Sequence, residues 1–499
     1  MKKELYRIVG AFLVLCGLTI VVWKHRKGEE ATKSKKEEEE KLIKLDLGIS
    51  ERMAVTTANG KVVFEKRPKD EKGKYTDLFA PLSLELDSIS EWMMVSPVKA
   101  PVDTYSIKSI LDNLKDLKSE KTISDTEENA VEYNLEKPPL QIDFFDKGSN
   151  TPKLAVKVGD ENSAKSGLYV QVSNIGPKIF LTTSTSLDSI KNRSVFDWRA
   201  KEVIGFKDVK KVKKVSFEYN RKGKKEKLLV LKEGNEWKIR EPKKLPGDDS
   251  AVEGFLGDLK SLRATEFVSE DVKKDSAKFG LSKPFAKFLI VFDSDLGEQE
   301  RKIFFAEPVK KEKDKKNLYL MREDLPYIFA ISETNKEKLF KELKQLVMKK
   351  PLHVSQESIT QLWLSKAEEE LEVVKKDGKW MFTKPKSESV NEFRISSLLW
   401  KLIDFKADEY VGDKQPPKWG KQKLAIRIQA ADKTKEAQFF ETEKADTLGA
   451  KVVGEPPLFF LFKRTDYEDF IKAVDGLIET LKPSPTPTPS VTETATPSP

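Results

Sequence analysis

The chain has 499 residues, enough for about three domains of ordinary size once its terminal segments are set aside. Apolar residues make up 38% and charged residues 35%, yet the apolar ones fall in periodic clusters, which excludes wholesale disorder. One Cys and two His exclude a disulfide framework and a four-ligand Cys/His zinc site.

After a short flank, 1–4, residues 5–23 are predicted to form a transmembrane helix. Ile8 to Trp23 carries no charge. At about 1.5 Å per residue the segment spans roughly 28 Å, close to the hydrocarbon thickness. Arg7 can snorkel to the interface, and Tyr6 and Trp23 stand at the two ends, where interfacial aromatics belong. The segment is long for a signal-peptide core and lacks a small-x-small cleavage site before Trp23. Leu15 before Cys16, and the apolar run after it, argue against a lipidated cysteine. Residues 24–44 alternate basic and acidic blocks. They form a spacer, either a solvated helix with opposite charges four apart or an unstructured tether.

Flanking charges nearly balance across the helix, and Lys33, Lys35 and Lys36 tilt the balance toward a cytoplasmic body. The tail 483–499, rich in Pro, Ser and Thr, reads as a disordered stalk and favours the other side. The expectation is a single-pass protein of the cytoplasmic membrane with its body outside, on the periplasmic side.

The body repeats itself. Glu91–Pro97 (EWMMVSP), Glu236–Pro242 (EWKIREP) and Lys379–Pro385 (KWMFTKP) each place Pro five positions after Trp, at intervals of about 145 residues. Behind each Trp runs an i, i+3, i+4, i+7, i+10 apolar stripe, the mark of one buried helix face. It reads Ile107, Ile110, Leu111, Leu114, Leu117 in the first copy. The second has Val252, Phe255, Leu256, Leu259, Leu262, and the third Ile395, Leu398, Leu399, Leu402, Phe405. Asp103, Asp248 or Asp249, and Asn391 are the predicted N-caps. Ile123, Val268 and Val411 then open extended segments.

Strands are predicted next at Gln141–Phe145, Lys287–Phe292 and Ala425–Gln429. Hairpins precede the Trp: Met53–Thr57 with Lys61–Lys66, Val212–Tyr219 with Glu226–Leu231, and Thr360–Ser365 with Leu371–Lys375. Closing helices are predicted at Ser186–Lys191, Lys336–Val347 and Tyr467–Leu481. Each unit thus reads hairpin, Trp strand, amphipathic helix, two to four strands, helix. The fold class is α+β with mainly antiparallel sheets, in three tandem units at 45–200, 201–350 and 351–482. Each Trp is expected in the core, on its helix stripe.

The N-terminal anchor, the W-x4-P segment, the leucine-striped helix and the aromatic-Gly-Leu-x-x-Pro segment (Phe279 to Pro284) resemble the bacterial family called domain of unknown function 4340. The first copy departs with Asn134 where the second has Gly280, and the third lacks the Pro after Trp419-Gly420. The resemblance implies a membrane-anchored accessory protein associated with an ABC transport system, and it carries over no catalytic residue.

The residues themselves supply no reaction. No G-x-S-x-G, G-x-G-x-x-G or G-x-x-x-x-G-K-[ST] occurs. His25 lies in the juxtamembrane basic cluster, and His353 has no Cys or second His beside it in the body. Asp293-Ser294-Asp295 is a polar turn rather than a calcium loop. The net charge of +9 is a small excess over 91 basic and 82 acidic residues, Lys-rich and interleaved with acids even in Lys310–Lys316, so no nucleic-acid partner is expected. No catalytic, cofactor-binding or metal-binding residue is assigned and no cofactor is expected. The protein is read as a non-enzymatic accessory or scaffold protein of the bacterial envelope. It would be held in the cytoplasmic membrane by residues 5–23, with an envelope protein such as an ABC transporter as partner. The alternatives are an envelope hydrolase using paired carboxylates, and a module binding anionic polymer or lipid.

Overall fold

The computed structural model describes Trp23 and residues 40–77, 79, 89–183, 187–221, 223–294, 297–308, 316–366, 369–416, 418–431 and 433–479. The predicted membrane segment up to residue 22, most of the charged linker and the whole tail 483–499 lie outside the described residues. Among the described residues no helix is long and apolar enough to cross a membrane. By compactness the chain divides into two bodies, residues 1–225 with 257–336 and residues 226–256 with 337–499.

Alternating apolar and polar residues build three antiparallel sheets of nine strands. In spatial order the first runs Ala100–Asp103, Ile89–Ser96, Gly60–Lys66, Arg52–Thr57, Leu140–Phe145, Leu154–Glu161, Leu168–Val172, Ile179–Thr182 and Lys121–Ser124. The second runs Leu245–Pro246, Glu236–Glu241, Lys224–Glu233, Val212–Arg221, Ala286–Ser294, Gly297–Ala306, Asn317–Arg322, Ile328–Ser332 and Glu266–Ser269. The third runs Glu388–Ser389, Lys379–Lys384, Glu369–Lys376, Ile359–Lys366, Gln422–Ala430, Lys433–Glu441, Thr447–Val452, Leu458–Lys463 and Glu409–Gly412. The order is the same each time. Two four-stranded meanders are zipped together by their first strands, and the strand that follows the helix returns to the far edge.

The repeat holds at single-residue resolution. Trp92, Trp237 and Trp380 are 1%, 1% and 5% exposed. Each faces a lysine across the strand pair, Lys66, Lys232 and Lys375. Each ammonium sits over the indole, 5.8, 5.6 and 5.8 Å from the ring centroid. The strand partner then skips one residue, Val95, Arg240 and Thr383, a β-bulge at the same count from each Trp. The Pro that follows is cis in all three copies. A second register shift skips Ile123, Val268 and Val411 in the return strands.

The predicted helices form as α1 (Thr104–Lys115), α2 (Asp249–Lys260) and α3 (Glu392–Asp404). Their stripes are buried except for Leu111 and Phe405, which are half-buried. Asp103 and Asn391 cap α1 and α3 by accepting from the N–H groups of Ser106 and Arg394. Asp248, not Asp249, caps α2, its Oδ1 accepting from Ala251 N at 3.0 Å. A fourth helix, α4 (Arg464–Ile478), buries Tyr467, Phe470, Val474 and Leu477. Asn134 and Gly280 share a left-handed backbone, with φ of 54° and 75°. The departure from Gly in the first copy therefore keeps the turn, because Asn tolerates this region better than other side chains do.

Two expectations need correction. The α+β balance shifts to a mostly β fold, since each unit has nine strands instead of the five to seven expected. The additional strands are short edge and return segments, such as Leu245–Pro246, too brief for a period to register. The helix expected at Lys336–Val347 breaks into Lys336–Leu339 and Leu343–Leu346. Leu339, Leu346 and Val347 are buried from separate turns, which reproduces a helical period without a continuous helix.

The first unit carries an insertion after Lys66. There Arg67 forms a two-pronged ion pair with Asp77, Nε–Oδ2 2.6 Å and Nη2–Oδ1 2.7 Å, with side chains only 0% and 3% exposed.

Candidate functional site

Within the body of residues 226–256 and 337–499 lies a cavity of about 570 Å³. Its floor begins with the strand Glu236–Glu241, which brings Trp237 to the cavity wall between Glu236 and Lys238. Gly247 lets the chain pass tightly behind this strand. Its N–H donates to Trp237 O at 2.9 Å, and a Cβ there would meet the same oxygen at 2.7 Å. Val102 and Val390 stand at the matching positions, ten residues after Trp92 and Trp380. Met348, Val452, Leu458 and Phe460 add apolar surface, and His353 stands exposed at the edge.

Four lysines line the cavity, Lys238, Lys350, Lys433 and Lys435, against the carboxylates Glu236 and Asp249. Most of these charges are already engaged. Lys238 pairs with Glu236, and Lys350 pairs with Asp404. Asp249 Oδ1 accepts from Trp237 N at 2.7 Å. Lys435 is half-buried and its ammonium donates to the carbonyl oxygen of His353 at 2.6 Å. Burial pushes the Lys435 ammonium below the ordinary lysine value; Glu236 opposes this, and the like charges of Lys238 and Lys433 add to it. The hydrogen bond and charge of Lys238 hold Glu236 below the usual carboxylate range. Among the described residues the indole Nε1 of Trp237 is buried without a hydrogen-bond acceptor.

This arrangement can neutralise an anion beside an apolar wall. It brings no raised carboxylate pair together, since Glu236 is held ionised by Lys238. Of the residues singled out from sequence, His353 and Trp237 meet here. Trp92 and Trp380 do not line this cavity; each is buried in its own unit. His25, Cys16 and Asp295 lie outside the described residues, and Asp293 is paired with Lys213 at 2.6 Å. Among the described residues no group of three or more His, Cys, Asp or Glu is placed to hold a metal ion. The lysines were missed because they come from separate stretches of chain and read locally as a solvated face. The one available signal was the alternation of Lys433 and Lys435, which places both on one face of a strand.

The chain belongs to the family described as domain of unknown function, DUF4340, which matches residues 92–236 and 237–423. The two matched segments begin at Trp92 and Trp237, the first two repeat tryptophans. No curated protein and no solved structure matches the chain.

Proposed function

We propose that the protein is a non-enzymatic accessory or scaffold protein of the bacterial envelope, anchored by residues 5–23 and working beside an ABC transport system. Three copies of one nine-stranded frame multiply surface, which suits partner binding better than a single reaction. The observation that carries the reading is an exposed aromatic face on α3. Phe393 and Trp400, seven residues apart and so on one side of the helix, are 83% and 63% exposed. Large aromatics left in water mark binding surfaces, where they supply most of the energy. Tyr105, at the position of Phe393 in the first unit, is 74% exposed as well. The transporter partner rests on the resemblance to the family.

A photo-crosslinking residue at Trp400 in intact cells should capture an envelope protein, and Phe393→Ser should abolish that capture. Recovery of no envelope protein would sink the scaffold reading. The external placement of the body is tested separately. Cys16 is the single native cysteine. A membrane-impermeant thiol reagent should label Ser490→Cys in spheroplasts, and labelling only after lysis would place the body in the cytoplasm.

A further inference from the structure

We infer that the lysine-walled cavity beside Trp237 binds a small amphiphilic anion, a phosphate or carboxylate carried on an aromatic or short aliphatic group. The inference stands apart from the scaffold reading, since it uses none of the α3 surface.

Charge accounting leads to it. Of the four lysines on the wall, Lys238 and Lys350 have carboxylate partners, Glu236 and Asp404. Among the described residues neither Lys433 nor Lys435 has a carboxylate within ion-pairing distance. Lys435 is the stronger case because it is half-buried, and among the described residues a carbonyl oxygen is the one hydrogen-bond partner of its ammonium. A desolvated ammonium without a counter-ion forfeits hydration and regains little of it, so an anion placed there recovers Coulomb energy that the empty site lacks. Neither acid on the wall bonds to Lys435: Glu236 is paired with Lys238 and acts on Lys435 only through space, and Asp249 accepts from the main chain of Trp237.

The apolar half of the ligand follows from the rest of the lining. Met348, Val354, Val452 and Leu458, all half-buried, offer hydrophobic surface. The volume of about 570 Å³ falls within the usual range for small-molecule sites, roughly 300–1,000 Å³. A bare inorganic anion would leave the apolar wall wet, and a neutral hydrocarbon would leave Lys435 uncompensated.

The probe is phenyl phosphate, titrated calorimetrically into the full chain in nanodiscs of neutral phosphatidylcholine. Phenol and inorganic phosphate are the comparisons. Phenyl phosphate should bind at least about tenfold more tightly than either, and more weakly as salt is raised. Lys435→Met should weaken binding about tenfold or more by removing the unpaired charge. Val453→Trp, which enlarges a rim side chain that is 46% exposed, should block entry with Lys435 intact. The rim variant leaves the core untouched, so it tests the site even if Lys435→Met folds poorly. Binding no tighter than that of phenol or of inorganic phosphate overturns the inference, as does wild-type affinity in the Val453→Trp protein. Adding phosphatidylglycerol to the nanodiscs separates the sources. Displacement of phenyl phosphate assigns the anion to a lipid headgroup, and undiminished binding assigns it to a free solute.

Discussion

Replacing Trp237 tests both the core and the cavity. The indole is 1% exposed, and truncating a buried Trp to Ala costs about 3–5 kcal/mol. One feature pulls this site to the lower end. The indole Nε1–H is buried without an acceptor among the described residues, so removal relieves a penalty of about 1–3 kcal/mol. The main-chain bond from Trp237 N to Asp249 is untouched. Trp237→Ala should therefore cost about 3 kcal/mol, near the bottom of that range. Trp237→Phe loses roughly 1–2 kcal/mol of apolar burial and sheds the unpartnered N–H, so the two nearly cancel and the net change stays within about 1 kcal/mol. A chain of three sheets need not unfold in one step, so the measurement is hydrogen exchange of the strand Glu236–Glu241 in the full protein. A cost above about 2 kcal/mol for Trp237→Phe would mean that the indole N–H is satisfied after all. A cost below about 1 kcal/mol for Trp237→Ala would mean that the ring does not anchor this unit.

Asp77→Ala strands the fully buried Arg67 guanidinium and should cost about 3–5 kcal/mol in chemical denaturation of the first unit; a loss under about 1 kcal/mol would refute the pairing. Gly280→Ala forces a β-carbon into a backbone with φ of 75° and should cost about 1–2 kcal/mol, while Gly280→Asn should cost less, because Asn134 occupies the same conformation in the first unit. The Lys435 ammonium is held below its ordinary value of 10.5, chiefly by burial, so the unfolded chain binds this proton more readily than the folded one. Its charge then costs stability at pH 7, and the cost fades as the pH rises through the folded pKa. Lys435→Met should accordingly raise Tm at pH 7 and lose that advantage toward pH 10.5; a variant whose advantage grows with pH would reverse the sign.

The triplication was legible in the linear chain because it is written in spacing. A Trp, a Pro five residues on and a helix stripe at fixed counts recur three times, and local periodicity reports which face of an element is buried. The caps Asp103 and Asn391 were readable for the same reason, since an N-cap acts on residues three positions away. Choosing between Asp248 and Asp249 needed the tertiary structure. The first bonds within its own helix, while the second reaches back to the Trp strand, a contact that no local rule contains. The broken helix at Lys336–Leu339 and Leu343–Leu346 misled the reading because separate turns can bury the same apolar positions as one helix. The return strands were visible as extended segments, but their partners were not, because pairing Lys121–Ser124 with Ile179–Thr182 joins residues far apart in the chain. The cavity lies furthest from view. Lys238, Lys350 and Lys435 each look like solvated surface among their neighbours in sequence. Only folding removes water from Lys435 and sets it in one cavity with apolar side chains, since desolvation belongs to the packed chain and not to a residue.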